Sequence, residues 1–381
     1  MEHTVPIGVL FSRSGPYETL GREGYLGATT AIREINAHGL YGIRLAAEIR
    51  DPAGNIEAYA PLCRDLVEGG VRFVVGCTTS WSRKEVIPVL EKTGAQLWYP
   101  CPYEGFEAND HVVYVGACPN QHILPLLDYV LPRYGREPLL VGSNYIWGWE
   151  TSRIAREVVE RAGGAIKGER FVPLGDTDIA RIIDEIQRKQ PDFVLNTLIG
   201  PSSRAFVEAY HDLGERDPRF SAAERPIISC NWTESEIAAM GRKAAGHLSV
   251  APYFASLETL DNREFLATIS AMLPAPLRVS AFFVQAYAAV HMIARGIAAT
   301  GERSPAALLA YAAETAYPAP FGPLRIHPAT NHAILAPRIA RARADGTFEV
   351  LSADETAIVP DPYLVSSLSR PPAVKHLRVV K

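Results

Sequence analysis

Apolar positions along this chain follow two rhythms in turn. Thr4 to Phe11 and Ile43 to Arg50 are short apolar, β-rich runs of strand type. Between them apolar residues return every three or four positions, which predicts a helix with Leu26, Ala28, Ala31, Ile32 and Ile35 as its buried stripe and Gly39 beyond its end. A helix over Ala58 to Val67 follows, then a strand ending at Gly76, a helix carrying Val86, Val89 and Leu90, and strands Gln96 to Tyr99 and Val112 to Val115. This alternation calls for a mostly parallel sheet with helices on both faces.

The rhythm breaks at Pro119 to Gln121 and starts again. Strands are predicted at Pro138 to Gly142, Ala165 to Val172, Phe193 to Leu198, Pro226 to Ser229 and Leu248 to Phe254. Helices end at Tyr134 or run over Trp149 to Ala162, Ile179 to Gln187, Ala205 to Leu213 and Glu234 to Met240. Helices Asn262 to Met272, Ser280 to Thr300 and one from Pro305 have nothing new to cover in this second unit, so they are expected to return to the first. Late strands are read at Leu324 to Ile326, Ala333 to Ala342 and Phe348 to Leu351, with a hairpin signal at Ala344-Asp345-Gly346-Thr347. The Pro-interrupted tail from Pro360 to Lys381 is expected to wrap the surface. The expected fold class is α/β, with two doubly wound parallel-sheet lobes joined by three crossovers. Lobe I takes residues 1–119 and 254–327, and lobe II takes 120–253 and 328–381. Such lobes close on a ligand by hinge motion.

Composition narrows the function. With 381 residues, 48% of them hydrophobic, each lobe can bury a full core without metals or disulfides. A net charge of −4 and no Lys/Arg block exclude direct nucleic-acid binding. No uninterrupted apolar run approaches the ~20 residues that span a bilayer, so no membrane insertion is expected. The first apolar run enters a strand at once, with no basic n-region or cleavage site before it. That favours the cytoplasm, or the periplasm if a leader has been removed. The five cysteines, Cys63, Cys77, Cys101, Cys118 and Cys230, lack metal-ligand spacing and read as reduced, buried thiols.

No nucleophile elbow, zinc-protease helix, phosphate loop or dinucleotide fingerprint occurs. Gly21, Gly24 and Gly27 lie inside helix-forming sequence and are expected to serve close packing. No enzymatic activity, cofactor or metal is expected. His122 and His327 read as local hydrogen-bonding or surface residues.

Candidate chemistry gathers at Val74 to Glu107, where two strand ends, a helix start and a run of hydroxyls meet at one rim. Open α/β sheets bind ligands there. Thr78, Ser80, Tyr99, Cys101 and Pro102 are the candidates from lobe I, and Tyr145, Trp147 and Thr233 those from lobe II. Ser80 is either a plain helix cap or a receptor for a carbonyl or carboxylate oxygen through its hydroxyl and backbone N–H. Tyr99 and Trp147 are either packing aromatics or pocket walls. Their convergence suits a small polar ligand with a short alkyl part.

The stretches VGCTTSWSRKEVIPVLE, YPCPYEGFE, GSNYIW and IVPDPYLV resemble the amide-sensing regulators of bacterial aliphatic amidase operons. They are also similar to the urea- and short-chain-amide-binding proteins of the type I periplasmic binding-protein family. The resemblance runs from IGVLFSRSG to PDPY, and PYEGFE with the Ser-Arg-Lys helix start are its amide/urea-specific parts. It implies a small amide or urea-like ligand enclosed between the lobes. Ser80, Tyr99, Tyr145 and Thr233 fall on ligand-contacting or pocket-lining positions. It further implies a cytoplasmic inducer sensor for amidase or nitrile-degradation genes, acting through an RNA-binding antiterminator protein. Thr78 stands where the amide sensors carry an aromatic residue, Cys101 where they carry threonine, and Trp147 replaces another aromatic. These departures change pocket volume and hydrogen bonding. The alternative is the substrate-binding receptor of an ABC transporter for urea, short-chain amides or branched-chain amino acids. Self-association is open at this stage.

Overall fold

In the computed structural model, which describes residues 4–275, 278–353 and 356–368, the first apolar runs form β1 (Thr4–Leu10), β2 (Arg44–Arg50), β3 (Phe73–Gly76), β4 (Gln96–Tyr99) and β5 (Val112–Tyr114). Helices α1 (Glu18–His38), α2 (Tyr59–Glu68) and α3 (Ser80–Thr93) connect them. Every neighbouring pair among these strands is parallel. The second unit repeats the plan with β6 (Leu139–Ser143), β7 (Gly168–Val172), β8 (Val194–Thr197), β9 (Ile227–Ser229) and β10 (Leu248–Ala251). Its helices are α4 (Ile123–Tyr134), α5 (Ile146–Arg161), α6 (Ala180–Lys189), α7 (Pro201–Arg216) and α8 (Glu234–Met240).

The chain then returns to lobe I as α9 (Leu260–Met272), α10 (Ala281–Thr300) and α11 (Pro305–Glu314). It ends in β11 (Tyr317–Ala319), β12 (Gly322–Leu324), β13 (Ile326–His327), β14 (His332–Ala333), β15 (Arg338–Ala342) and β16 (Phe348–Ala353). The two seven-stranded sheets have equivalent orders, β2-β1-β3-β4-β5-β14-β13 and β7-β6-β8-β9-β10-β15-β16. In each, the order reverses beside the first strand, and the crevice at such a switch point is where doubly wound sheets receive ligands.

Glycines let α1 seat closely both on α10 and on the loop after β1. A Cβ on Gly27 would stand 2.1 Å from the Phe283 carbonyl oxygen, and one on Gly21 would stand 1.7 Å from that of Ser12. Leu26, expected in the buried stripe, is 38% exposed. The buried face runs through Leu20, Gly24, Ala28, Ala31 and Ile35, and Leu26 is two residues, or about 200°, off that line. Helix α10 is long and apolar enough to cross a membrane, which the search for an unbroken apolar run overlooked. It is the core helix of lobe I, with nearly all of that span buried.

The third crossover differs from expectation. His332–Ala333 pairs with β5 and belongs to the first sheet, whereas division between His327 and Pro328 assigns it to lobe II. The strand expected over Ala333 to Ala342 is therefore two strands in two sheets, and the chain changes lobe between them. The hairpin of β15 and β16 is present and antiparallel. Beyond it, the Pro362 carbonyl accepts from the Phe106 N–H at 2.8 Å, and Leu364 is buried. Residues 369–381 of the expected surface tail lie outside the described residues.

Candidate functional site

Strand β3 delivers the chain to the cleft through Cys77, which turns at φ 66°. Of the hydroxyls that follow, Thr79 caps α3 by accepting from the Ser82 N–H, and Ser82 Oγ accepts in return from the Thr79 N–H at 3.0 Å. Ser80 is therefore the first helical residue rather than the cap. Its side chain is free of capping and donates to Glu104.

One turn on, Arg83 is wholly buried. Its Nη2 donates to Glu104 at 3.1 Å and its Nε to Glu107 at 2.7 Å. The rings of Tyr99 and Tyr103 lie 4.9 and 4.7 Å from its guanidinium carbon, and Tyr114 lies farther out at 5.9 Å. Burial works to raise the Glu107 carboxyl, but Arg83, Lys84 and Tyr114 hold it down at about 2. Tyr103 also bonds His332, whose ring stacks on Tyr114 at 4.1 Å and whose pKa burial pushes down to about 3. This neutral histidine closes the far side of the network.

Lobe II approaches through the start of α5. That helix begins at Ile146, three residues before the expected Trp149, so Trp147 sits in its first turn. Tyr145 is buried with its ring 5.1 Å from that of Trp81 across the lobe seam. Burial raises its phenol pKa, and Glu104, Tyr17 and Cys101 add to the rise. Trp147 packs beside His122 at 5.6 Å, and its buried Nε1 has no hydrogen-bond partner among the described residues. His122 is a local hydrogen-bonding residue, as its place in the sequence suggests. It bonds the Tyr103 carbonyl at 2.9 Å and accepts from the Ile123 N–H.

The remaining candidates divide between this rim and a neighbouring cavity that neither Ser80 nor Tyr145 lines. Tyr99 lies at the end of β4 beneath Arg83, and Thr78 is buried just ahead of the cap. Cys101 donates to the Cys77 carbonyl at 3.4 Å, and all five cysteines are free and buried. Pro102 and Thr233 line one interlobe cavity of about 20 Å³ with His122, Trp232, Phe282 and Gln285. That is space for about one water-sized group, so the lobes are shut and must part to admit a ligand. Among the described residues no cluster of His, Cys, Asp or Glu could hold a metal ion.

Thr233 has a second task. It caps α8 and donates across the seam to Glu23 at 3.0 Å, while Ser280 donates to the other Glu23 oxygen at 2.7 Å. Sequence reading missed Glu23, Arg83 and Glu104. Only the last two stood in stretches that drew attention, PYEGFE and the Ser-Arg-Lys helix start. Burial raises Glu23 to about 7 despite the hydroxyls of Ser280 and Thr233. It raises Glu234 and Glu236 to about 8, with Glu23 adding to both and Arg278 opposing at Glu234. Carboxyls raised on folding stabilise the closed form fully below the ordinary carboxylate range and lose that contribution as pH rises from there through their folded values. For Glu23 the loss runs from about 4.5 to about 7. The other titrating groups are kept in Glu23→Gln, so the melting temperature of wild type relative to that variant is expected to fall between pH 5 and pH 7. An unchanged slope in that variant, followed by differential scanning calorimetry, removes Glu23 from the account.

Comparison with known proteins agrees with this architecture. The family described as "Periplasmic binding protein domain" matches residues 5–369. The Leu/Ile/Val-binding protein homolog 6 of Brucella melitensis is 24% identical over 353 residues, covering 90% of this chain and 89% of its own. A leucine-, isoleucine-, valine-, threonine- and alanine-binding protein of Pseudomonas aeruginosa is 25% identical, covering 79% of this chain and 80% of its own. Among solved structures, an ABC-transporter solute-binding protein of Rhodopseudomonas palustris in complex with p-hydroxybenzoic acid superimposes with a TM-score of 0.84 at 22% identity, over 96% of this chain and 100% of that one. The branched-chain amino acid transporter substrate-binding protein of Streptococcus pneumoniae, in complex with isoleucine, gives a TM-score of 0.76 at 18% identity, over 93% and 100%. At these identities the structural likenesses establish the fold.

Proposed function

We propose that this chain, which belongs to the periplasmic binding protein family, is a non-enzymatic receptor whose lobes close over a small neutral solute of the amide or urea class. The observation that carries the reading is the pairing of charge at the cleft. Arg83 is shared by two carboxylates, while the hydrogen-bonding groups left for a ligand are neutral: the Ser80 backbone and hydroxyl, the Tyr145 phenol and the unpartnered Trp147 indole N–H. A short amide offers a carbonyl acceptor and an NH₂ donor to such a set.

A ligand that binds only the folded form stabilises it by RT ln(1 + [L]/Kd). Urea, acetamide and propionamide are expected to raise the melting temperature more than leucine, valine or 4-hydroxybenzoate do. A shift with the amino acids or the hydroxybenzoate alone overturns the ligand class. Ser80→Ala and Tyr145→Phe are each expected to weaken amide binding by about 1–3 kcal/mol, because a buried polar partner is left unsatisfied. Unchanged calorimetric affinity in both removes them from the site.

For the biological role, the company of transport proteins supports an ABC-transporter receptor, working outside the inner membrane. The second reading, a cytoplasmic inducer sensor acting through an RNA-binding antiterminator, rests on the amide-specific motifs PYEGFE and Ser-Arg-Lys. Deleting the gene separates them. Lost uptake of labelled amide supports the receptor, and lost amide induction of an amidase with uptake intact supports the sensor.

A further inference from the structure

We infer that Glu104 decides the charge of the ligand, making the α3 N-terminus select a neutral NH-bearing group and reject a carboxylate. This rests on the small-amide reading above and names the residue that imposes it. A helix N-terminus with a free hydroxyl is ordinarily a good seat for an anion, since backbone N–H groups and the helix dipole both favour negative charge. Here a carboxylate stands behind that seat. The Ser80 hydroxyl points its proton at Glu104, so what it offers a ligand is a lone pair, an acceptor. Glu104 is 1% exposed and is held from behind by Arg83 at 3.1 Å.

Arg83 does not leave the seat positive. Its single charge is shared between Glu104 and Glu107, and Lys84 on Glu107 brings the four groups to zero, so no positive charge is left over for an anion at the seat. A ligand carboxylate at Ser80 would lie one hydroxyl away from the Glu104 carboxylate. Two carboxylates sharing a site repel strongly, and a single helix end compensates only weakly. An amide NH₂ meets no such repulsion. It donates to the Ser80 lone pair, while Tyr145 closes from the other lobe.

The test uses isosteric pairs in titration calorimetry: acetamide with acetate, propionamide with propionate, benzamide with benzoate. The wild-type protein is expected to bind the amide of each pair at least tenfold more tightly. Glu104→Gln keeps the Arg83–Glu107 pair and is expected to cut that preference at least tenfold, with the acid gaining. Ser80→Ala keeps the Glu104 charge and is expected to weaken the amide while still rejecting the acid. An unchanged amide-to-acid ratio in Glu104→Gln overturns the inference. If Glu104→Gln does not fold, as thermal unfolding reveals, Ser80→Ala decides, and its acceptance of the acid overturns it. Wild-type protein that prefers the acids instead sinks the small-amide reading itself, a different outcome from an amide preference that Glu104→Gln leaves intact.

Discussion

Replacing Arg83 with methionine is expected to destabilise the protein by about 3–5 kcal/mol, the usual cost of leaving buried carboxylates without their partner. Methionine keeps most of the volume beneath the three tyrosines, so the loss reports charge rather than a cavity. Lys84 still reaches Glu107 at 2.7 Å and retains part of the balance there. Among the described residues Glu104 keeps the Ser80 hydroxyl. Lysine is expected to rescue little, since an ammonium cannot reach two carboxylates in the geometry of a guanidinium. The pH dependence has a definite sign. Glu107 has its pKa lowered on folding to about 2, so its contribution is present above the ordinary carboxylate range and is lost as pH falls toward 2. The gap between wild type and Arg83→Met should narrow on acidification. Urea unfolding at pH 7 and pH 4 measures both numbers, and a gap that widens at pH 4 contradicts the assignment.

Gly200→Ala is expected to leave each lobe folded and to prevent them from meeting. Gly200 precedes α7 in lobe II with φ 58° and ψ −128°, a conformation costing a side-chain-bearing residue about 1–3 kcal/mol. A Cβ there would stand 2.2 Å from the Pro16 carbonyl oxygen of lobe I. Backbone cannot yield as a flexible side chain can, so the overlap is relieved by parting the lobes. Ligand affinity should fall at least tenfold, or about 1.4 kcal/mol. Small-angle scattering should show a more extended particle in the presence of ligand. Unchanged affinity together with wild-type scattering would mean that the seam has more slack than this contact allows.

These two residues illustrate what a sequence conveys and what it withholds. The strand and helix succession was legible because each apolar run ends in Gly, Pro or a polar turn, and the range expected for α8 agrees with Glu234–Met240, whose start Thr233 and Glu236 fix as a capping box. The start of α5 was not, because its cap position holds Tyr145, which makes no side-chain capping bond and carries no capping signal. The strand β14 is two residues long and held by pairing with Tyr114 far away in sequence, so no local pattern announces it. The hydroxyl run marked the site, but which hydroxyl caps and which faces outward is settled by Ser82, three residues beyond Thr79. The charges of Arg83, Glu104 and Glu107 were in plain view within two motifs. Their mutual pairing depends on how β4 and the loop after it fold back over α3. Glu23 is 210 residues from Thr233, and nothing along the chain links a mid-helix glutamate to a cap in the other lobe.

The network of Arg83, Glu104, Glu107, Tyr103, Tyr114 and His332 is built entirely on lobe I elements, whereas lobe II brings Tyr145, Trp147 and Thr233. The two jaws are thus unequal in kind. One carries a hydrogen-bonded network complete within its own lobe, and the other acts as a latch. A solute would dock against lobe I at a speed governed by diffusion and by the opening of the lobes, and its dwell time would be governed by how often the latch lifts. Changes to lobe I should then act on which solutes are recognised, while changes to the latch should act on how long each one stays.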